Sequence, residues 1–187
     1  MKPHRRRGPT AASLLILRTD RGEIRVTARN GRIVACELPD FQSLETAAAQ
    51  TSNDWKSCKV RGGKIAELNS SSDKEILRDA EYFVKQFFAG KPVKPPPVEL
   101  PAAAPFTTAV WRELAKIPAG ETRTYGQLAA AAGRPLAARA AGSACGANQI
   151  PLFIPCHRVV GANGALGGFS SGLVWKKFLL RCEDARI

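Results

Sequence analysis

Two residues toward the C-terminal end have the chemistry of a nucleophile and its base. They are Cys156 and His157, in the run Ile154-Pro155-Cys156-His157-Arg158-Val159-Val160. A thiolate is a strong nucleophile, and imidazole is the side chain best placed to generate one near neutral pH. The chain has two histidines, His4 and His157, so one of the two lies beside a cysteine. Adjacency alone does not separate a reactive thiol from a buried inert one, because cysteine packs as a small hydrophobe.

The segments around the pair narrow the chemistry. Gly161 to Ser171 is a glycine-rich loop that lacks the lysine and spacing of a phosphate-binding loop; it reads as a pocket wall where backbone approaches a planar ligand. Upstream, two short helices flank the turn Gly133-Arg134-Pro135, as in a helix-turn-helix. The second carries Ala137, Ala138, Ala140, Ala141, Gly142, Ser143 and Ala144, with Arg139 as its one long cation. Readers of the major groove carry several long polar side chains to reach base edges. A bald helix instead allows close approach to a groove wall, and a lone arginine on it suits insertion into the stack where a base has been extruded. A small-residue helix packed in a core is the alternative, and Arg139 weighs against it.

The elements that must position these groups follow from pattern. Leu14–Arg18, Glu23–Ala28 and Arg32–Leu38 read as strands joined at Asp20-Arg21-Gly22 and Asn30-Gly31, giving a small antiparallel sheet. Residues 40–71 are polar with weak periodicity and read as loop or irregular strand. Ser72 and Glu75 suggest a capping box opening a helix whose stripe is Ile76, Leu77, Ala80, Phe83, Val84, Phe87 and Phe88; Gly90 and Pro92 end it. Lys91 to Pro105 contains six prolines and reads as an extended connector. Helices are then expected at Thr107–Ile117, at Tyr125–Ala132 behind a Thr124 cap, at Leu136–Cys145 and at Leu173–Cys182. The fold class is α+β: a small N-terminal antiparallel sheet with a helix, then a mainly helical domain containing a helix-turn-helix. The expected boundaries are a basic tail at 1–12, an N-terminal α+β (ribonuclease-H-like) domain at 13–90, a linker at 91–104 and a second domain at 105–187.

Composition sets the remaining bounds. The net charge is +12, with an excess of +4 in residues 1–10, +2 in 11–104 and +6 in 105–187. A basic C-terminal third suggests an anionic partner, most simply nucleic acid, and His4-Arg5-Arg6-Arg7 would add non-specific phosphate attraction. No apolar run approaches the roughly 20 residues of a membrane-spanning helix. Five cysteines at irregular spacing, with no C-x-x-C pair, argue against a disulfide framework or a structural zinc site and for a reducing, cytoplasmic setting. No chemistry is read for Cys36, Cys58, Cys145 or Cys182.

From about Pro105 to Glu183 the sequence resembles the O6-alkylguanine-DNA alkyltransferases. The matching residues are Pro105-Phe106, Val110-Trp111, Ile117-Pro118, Thr124-Tyr125-Gly126-x-Leu128-Ala129, Ala138-Arg139-Ala140, Asn148 and Pro155-Cys156-His157-Arg158-Val159. Gly164-x-Leu166-x-Gly168, Gly172-Leu173, Lys176, Leu179-Leu180 and Glu183 follow in order.

The resemblance implies that Cys156 accepts the alkyl group from O6 of a flipped guanine in duplex DNA, as a thioether that nothing reverses. His157 would deprotonate it through a bridging water, Glu183 would orient the imidazole, and Asn148 would brace the cysteine turn. An extended Cys-His segment, with alternating side chains, would leave room for that water. Tyr125 would donate its hydroxyl to the guanine ring. Arg139 would fill the vacated base position, on a helix whose Ala138, Ala140, Gly142 and Ser143 approach the minor groove. The backbone of Cys156 and Val159 would read the exocyclic amine, and amides at Phe169 and Ser170 would face O6. No metal or cofactor is implied, and the protein would act as a cytoplasmic, nucleoid-associated monomer. Two departures stand out: Gln149 where proline is usual, and Phe169 where tyrosine is usual. A non-catalytic binder of alkylated DNA is the alternative. A cysteine hydrolase is disfavoured, since its cysteine and histidine are usually distant in sequence.

Overall fold

The structure is a computed structural model that describes residues 11–39 and 59–185. The tail at 1–10, Cys58 and most of the 40–71 stretch therefore lie outside the described residues. Strands β1 (Ser13–Thr19), β2 (Gly22–Arg29) and β3 (Arg32–Glu37) form the expected meander. Its second turn is Asn30-Gly31, with φ of 54° and 69°, a left-handed pair that asparagine and glycine tolerate. A fourth strand, β4 (Val60–Glu67), pairs antiparallel with β1, so the order is β3-β2-β1-β4. Within the 40–71 stretch, read as loop or irregular strand, residues 60–67 are therefore a strand, its ladder to β1 shifted in register at two points. β4 buries none of its residues and holds its place through the ladder to β1.

Helix α1 (Ser71–Phe88) buries the whole anticipated stripe, Ile76 to Phe88, against that sheet. Its cap differs from the sequence reading. Ser70, not Ser72, accepts from the Asp73 amide at 3.0 Å. The Asp73 carboxylate does not reach back to the cap; it is fully buried and accepts from Ser13 Oγ at 2.9 Å and the Gly31 amide at 2.8 Å. Helix start, strand β1 and the β2–β3 turn are thereby tied at one carboxylate, while Glu75 points to solvent.

The proline-rich connector docks on the sheet. The Ile33 amide donates to Pro97 O at 3.0 Å and the Glu99 amide to Ile33 O at 2.8 Å, covering the free edge of β3. The two halves then share one apolar core. Phe83 packs on Phe153 with ring centroids 5.0 Å apart, and Phe88 stacks on Trp175 at 6.4 Å.

Beyond the connector come α2 (Pro105–Leu114), the short strand β5 (Arg123–Thr124), α3 (Tyr125–Ala131), α4 (Ala138–Gly146), the short strand β6 (Val159–Val160) and α5 (Leu173–Cys182). α2 starts earlier than expected because proline suits a first helical position, and it ends before Ile117. α4 starts two residues late: Leu136 and Ala137 belong to the turn, and Leu136 is wholly exposed. Trp111 Nε1 donates to Ala144 O at 2.8 Å, pinning α4 to α2.

Candidate functional site

Cys156 sits at the first residue of a single 3-10 turn, Cys156–Arg158, not on an extended segment. In such a turn successive side chains diverge by about 120°. Cys156 consequently faces a pocket, while His157 turns into the core, edge-on to Phe87 with centroids 6.0 Å apart. The divergence of the two side chains thus comes from the turn and not from strand alternation. The backbone before the turn is tight: Leu152 is a buried leucine at φ 72°, a conformation that costs a non-glycine residue about 1–3 kcal/mol. Asn148 holds this loop closed. Its Oδ1 accepts from the Ile150 amide at 3.0 Å, and its Nδ2 donates to Ile154 O at 2.8 Å and to Cys156 Sγ at 3.2 Å.

Tyr125 arrives beside the cysteine by strand pairing. β5 and β6 are parallel, with Arg123 opposite Val159 and Thr124 opposite Val160. Thr124 then opens α3 with a reciprocal capping box to Gln127. The pocket in front of Cys156 has a volume of about 600 Å³ and is walled by Tyr125, Arg139, Gly142, Cys145, Gly168 and Phe169 among others. Gly167 is required where it stands: its φ is 65°, and a Cβ there would meet the Tyr125 hydroxyl at 2.7 Å.

Lys176 anchors the far wall. Its ammonium is buried and donates to Val159 O at 2.5 Å, to Gly168 O at 3.3 Å and to Leu166 O, joining β6 to the glycine-rich loop. Nζ also lies 5.8 Å from the Tyr125 ring centroid. Burial pushes the Cys156 thiol above its ordinary value, while the Asn148 amide and the Lys176 cation pull the other way.

Behind the sulfur, His157 Nε2 and Glu183 Oε1 are 3.0 Å apart. Glu183, at the end of α5, also receives Arg158 Nη2 at 2.6 Å and Nε at 3.0 Å, and the Gly120 amide at 3.3 Å. Arg158 Nη1 donates to Ile117 O, so one carboxylate joins α5, the cysteine turn and the end of α2. Burial alone would raise Glu183, but His157 and Arg158 hold its carboxyl at about 2. Burial keeps His157 below its ordinary value and therefore neutral, in spite of Glu183. With Nε2 given to Glu183, Nδ1 is the buried side-chain polar atom that finds no partner among the described residues. The neutral imidazole thus keeps an unpartnered lone pair at Nδ1.

Acid should loosen this cluster. The folded His157 binds its proton less readily than the unfolded one, whose ordinary value is 6.5, so its contribution is complete above that pH and declines below it. Glu183 contributes above 4.5 and loses its contribution as pH falls toward about 2. That second component is on the order of 3 kcal/mol at 1.36 kcal/mol per unit. Urea midpoints should fall from pH 7 to 5 and more steeply below 4.5, and Glu183→Gln should remove the lower step. A midpoint flat down to pH 3 would contradict these assignments.

The site residues read from sequence are not all equivalent in space. Cys156, Tyr125, Ala138, Arg139, Gly142 and Phe169 line one pocket. Asn148, His157 and Glu183 stand behind it, and Val159 is buried in β6. Ala140, Ser143 and Ser170 are exposed; Ser143 Oγ caps back onto Arg139 O at 3.3 Å, and Ser170 is not among the pocket-lining residues. Sequence reasoning gave no role to Lys176, Arg158 or Cys145. The first two stand in the matching motifs, but their partners are backbone carbonyls and a carboxylate that pattern alone does not pair with them. Of the two departures, Gln149 uses its carbonyl to accept from the Cys36 amide at 2.9 Å, and Phe169 packs against the core.

Residues 105–185 match the family described as 6-O-methylguanine DNA methyltransferase, DNA binding domain. A methylated-DNA–protein-cysteine methyltransferase of Methanosarcina acetivorans is 44% identical over 129 residues, 67% of this chain and 82% of that one. The constitutive enzyme of that name in Bacillus subtilis is 42% identical over 157 residues, covering 82% and 89%. Among solved structures, Mycobacterium tuberculosis OGT in complex with DNA superposes with a TM-score of 0.64 at 30% identity, covering 88% of each chain. With the cysteine turn, its histidine and glutamate, and the arginine-bearing helix in one arrangement, the chain belongs to the methylated-DNA–protein-cysteine methyltransferase family.

Proposed function

We propose that this protein repairs O6-alkylguanine in DNA by moving the alkyl group irreversibly onto Cys156, one lesion per polypeptide. The observation that carries the reading is the position of Cys156 Sγ. It lies in a pocket rimmed by the Arg139 helix, with an amide donor on the sulfur and a neutral imidazole behind it. His157 takes the thiol proton at Nδ1 through a water, and Glu183 holds Nε2. The sulfur attacks the alkyl carbon, the carbon–sulfur bond forms and the carbon–O6 bond breaks. Tyr125 donates its hydroxyl to the departing guanine, offsetting the charge that develops on the ring. The backbone of Cys156 and Val159, with amides at Phe169 and Ser170, reads the base edge.

Ala138, Ala140, Gly142 and Ser143 leave the α4 surface low enough for the backbone to approach a minor groove, with Arg139 entering the stack. We assign the protein as a monomer acting on nucleoid DNA in the cytoplasm. The N-terminal unit (13–90) and the C-terminal unit (105–187) are read as two domains joined by 91–104. None of the helices among the described residues is long and apolar enough to cross a membrane.

The test is the intact mass of the protein after incubation with excess duplex containing O6-methylguanine. A stoichiometric gain of one methyl, mapped to Cys156, is expected. Tight lesion binding without any gain would overturn transfer and leave a damage-recognition protein. Arg139→Ala should slow repair in duplex DNA roughly ten- to a hundredfold, since unstacking a base costs a few kcal/mol. Reaction with free O6-benzylguanine, which needs no extrusion, should change little. Equal losses on both substrates would remove Arg139 from the stack.

A further inference from the structure

Among the described residues two thiols line the pocket, Cys145 near the end of α4 and Cys156, and the proposed transfer uses one of them. Asn148 binds to both residues. Its backbone amide donates to Cys145 O at 3.2 Å, and its side-chain amide to Cys156 Sγ at 3.2 Å. Both cysteines are free and nearly covered by protein, so the shared pocket is their route to a small reagent. Cys36 and Cys182 do not line this pocket.

We propose that Cys145 is a resolving thiol for the acceptor: when a peroxide oxidises Cys156, Cys145 closes a disulfide with it and keeps the acceptor recoverable. The inference rests on the reading of Cys156 as the reactive thiol of an open pocket. In the first step the Cys156 thiolate attacks one peroxide oxygen. The S–O bond forms, the O–O bond breaks and hydroxide leaves, so Cys156 becomes a sulfenic acid. In the second step the Cys145 thiol attacks the sulfenic sulfur. The S–S bond forms, the S–O bond breaks, and the hydroxyl departs with the thiol proton as water. The two thiols together supply the two electrons that reduce the peroxide. A small dithiol reverses the disulfide by exchange and restores both groups.

The order of events follows from the surroundings of each sulfur. Burial raises the Cys156 thiol as well, but there the Asn148 amide bonds the sulfur directly and, with the Lys176 cation, favours its thiolate, and His157 follows it in the turn. Cys145 shares the Lys176 cation, but no hydrogen bond to its sulfur is seen among the described residues, and burial pushes its thiol up to about 12. It is a poor first target and remains protonated until a sulfenic acid forms beside it. A protein that acts once per molecule loses its whole capacity when its acceptor reaches the sulfinic state, which dithiols do not reverse.

The experiment treats the full chain with a several-fold molar excess of hydrogen peroxide and reads intact mass, peptide linkage and alkyl transfer before and after a dithiol. The expected product is a loss of two hydrogens, with a Cys145–Cys156 linkage, and a dithiol should restore most of the starting activity. Cys145→Ala and Cys145→Ser, each compared with its own untreated activity, should instead gain two or three oxygens at Cys156 and stay inactive after the dithiol. A wild-type protein that gains oxygens at Cys156 without a linkage would overturn the proposal, as would a linkage from Cys156 to Cys36. If untreated protein transfers no alkyl group, the functional reading fails by itself, and the linkage map still decides the thiol pair.

Discussion

Cys156→Ala should bind alkylated duplex DNA within about threefold of the wild-type affinity and transfer nothing at all. The sulfur is the only heavy atom lost, and it is buried, whereas the residues proposed to meet the duplex, such as Arg139, Ala140 and Ser143, are exposed. Asn148 keeps its bonds to Ile154 O and to the Ile150 amide, so the loop at Leu152 stays closed. Deleting one buried atom of this size costs about 1 kcal/mol of stability, well short of unfolding a domain. The other described thiol of the pocket, Cys145, offers no ready second route, because burial pushes it up to about 12 and it stays protonated at neutral pH. Fluorescence anisotropy with an O6-methylguanine duplex and intact mass on the same sample separate the two effects. A residual stoichiometric methyl gain would move the acceptor elsewhere. Loss of binding with retained fold would place Cys156 in recognition as well as chemistry.

How much of this could be read in advance depended on whether a signal was local. The Asn30-Gly31 turn, the α1 stripe and the Thr124 cap are encoded within a few residues, and each stands where pattern placed it. β4 is different. Val60-Arg61-Gly62-Gly63-Lys64-Ile65 contains two glycines and buries nothing, so neither propensity nor alternation marks a strand. What makes it one is β1 beside it and the Glu81 carboxylate above Gly63, which a Cβ would meet at 2.7 Å. The α1 cap misled for a related reason. Three consecutive serines offer three starts, and the choice is made by Asp73 reaching Ser13, sixty residues away in sequence. At the site, Cys156, His157, Tyr125 and Asn148 were legible from the motif, and the 3-10 turn that separates sulfur from imidazole was not.

Lys176→Met should damage the pocket as a whole, and it is the change most telling about how the site is held. Lys176 and Lys177 are adjacent on α5, and sequence alone does not say which one is buried. The stripe of Trp175, Phe178, Leu179 and Cys182 turns Lys176 inward, where burial lowers its ordinary value but three backbone carbonyls hold its ammonium. Methionine keeps the apolar stem and removes every donor. Val159 O, Leu166 O and Gly168 O then lose their shared partner, at about 1–3 kcal/mol for a buried group left unsatisfied. Thermal and urea unfolding should report a loss of roughly 3 kcal/mol. The chemical effect should be larger, because the same bonds set the distance between β6 and the loop facing Tyr125. A displacement near 1 Å in such a wall is worth about a hundredfold in rate. Unlike Arg139→Ala, the loss should be equal for duplex DNA and for free O6-benzylguanine, since the pocket and not the extrusion step is impaired. A variant that is destabilised, yet transfers at the wild-type rate where it remains folded, would reduce Lys176 to a structural tie. Lys176→Arg sharpens the comparison: it restores charge but not the compact three-way geometry, so charge alone rescues neither rate nor stability if the carbonyl contacts are what matter.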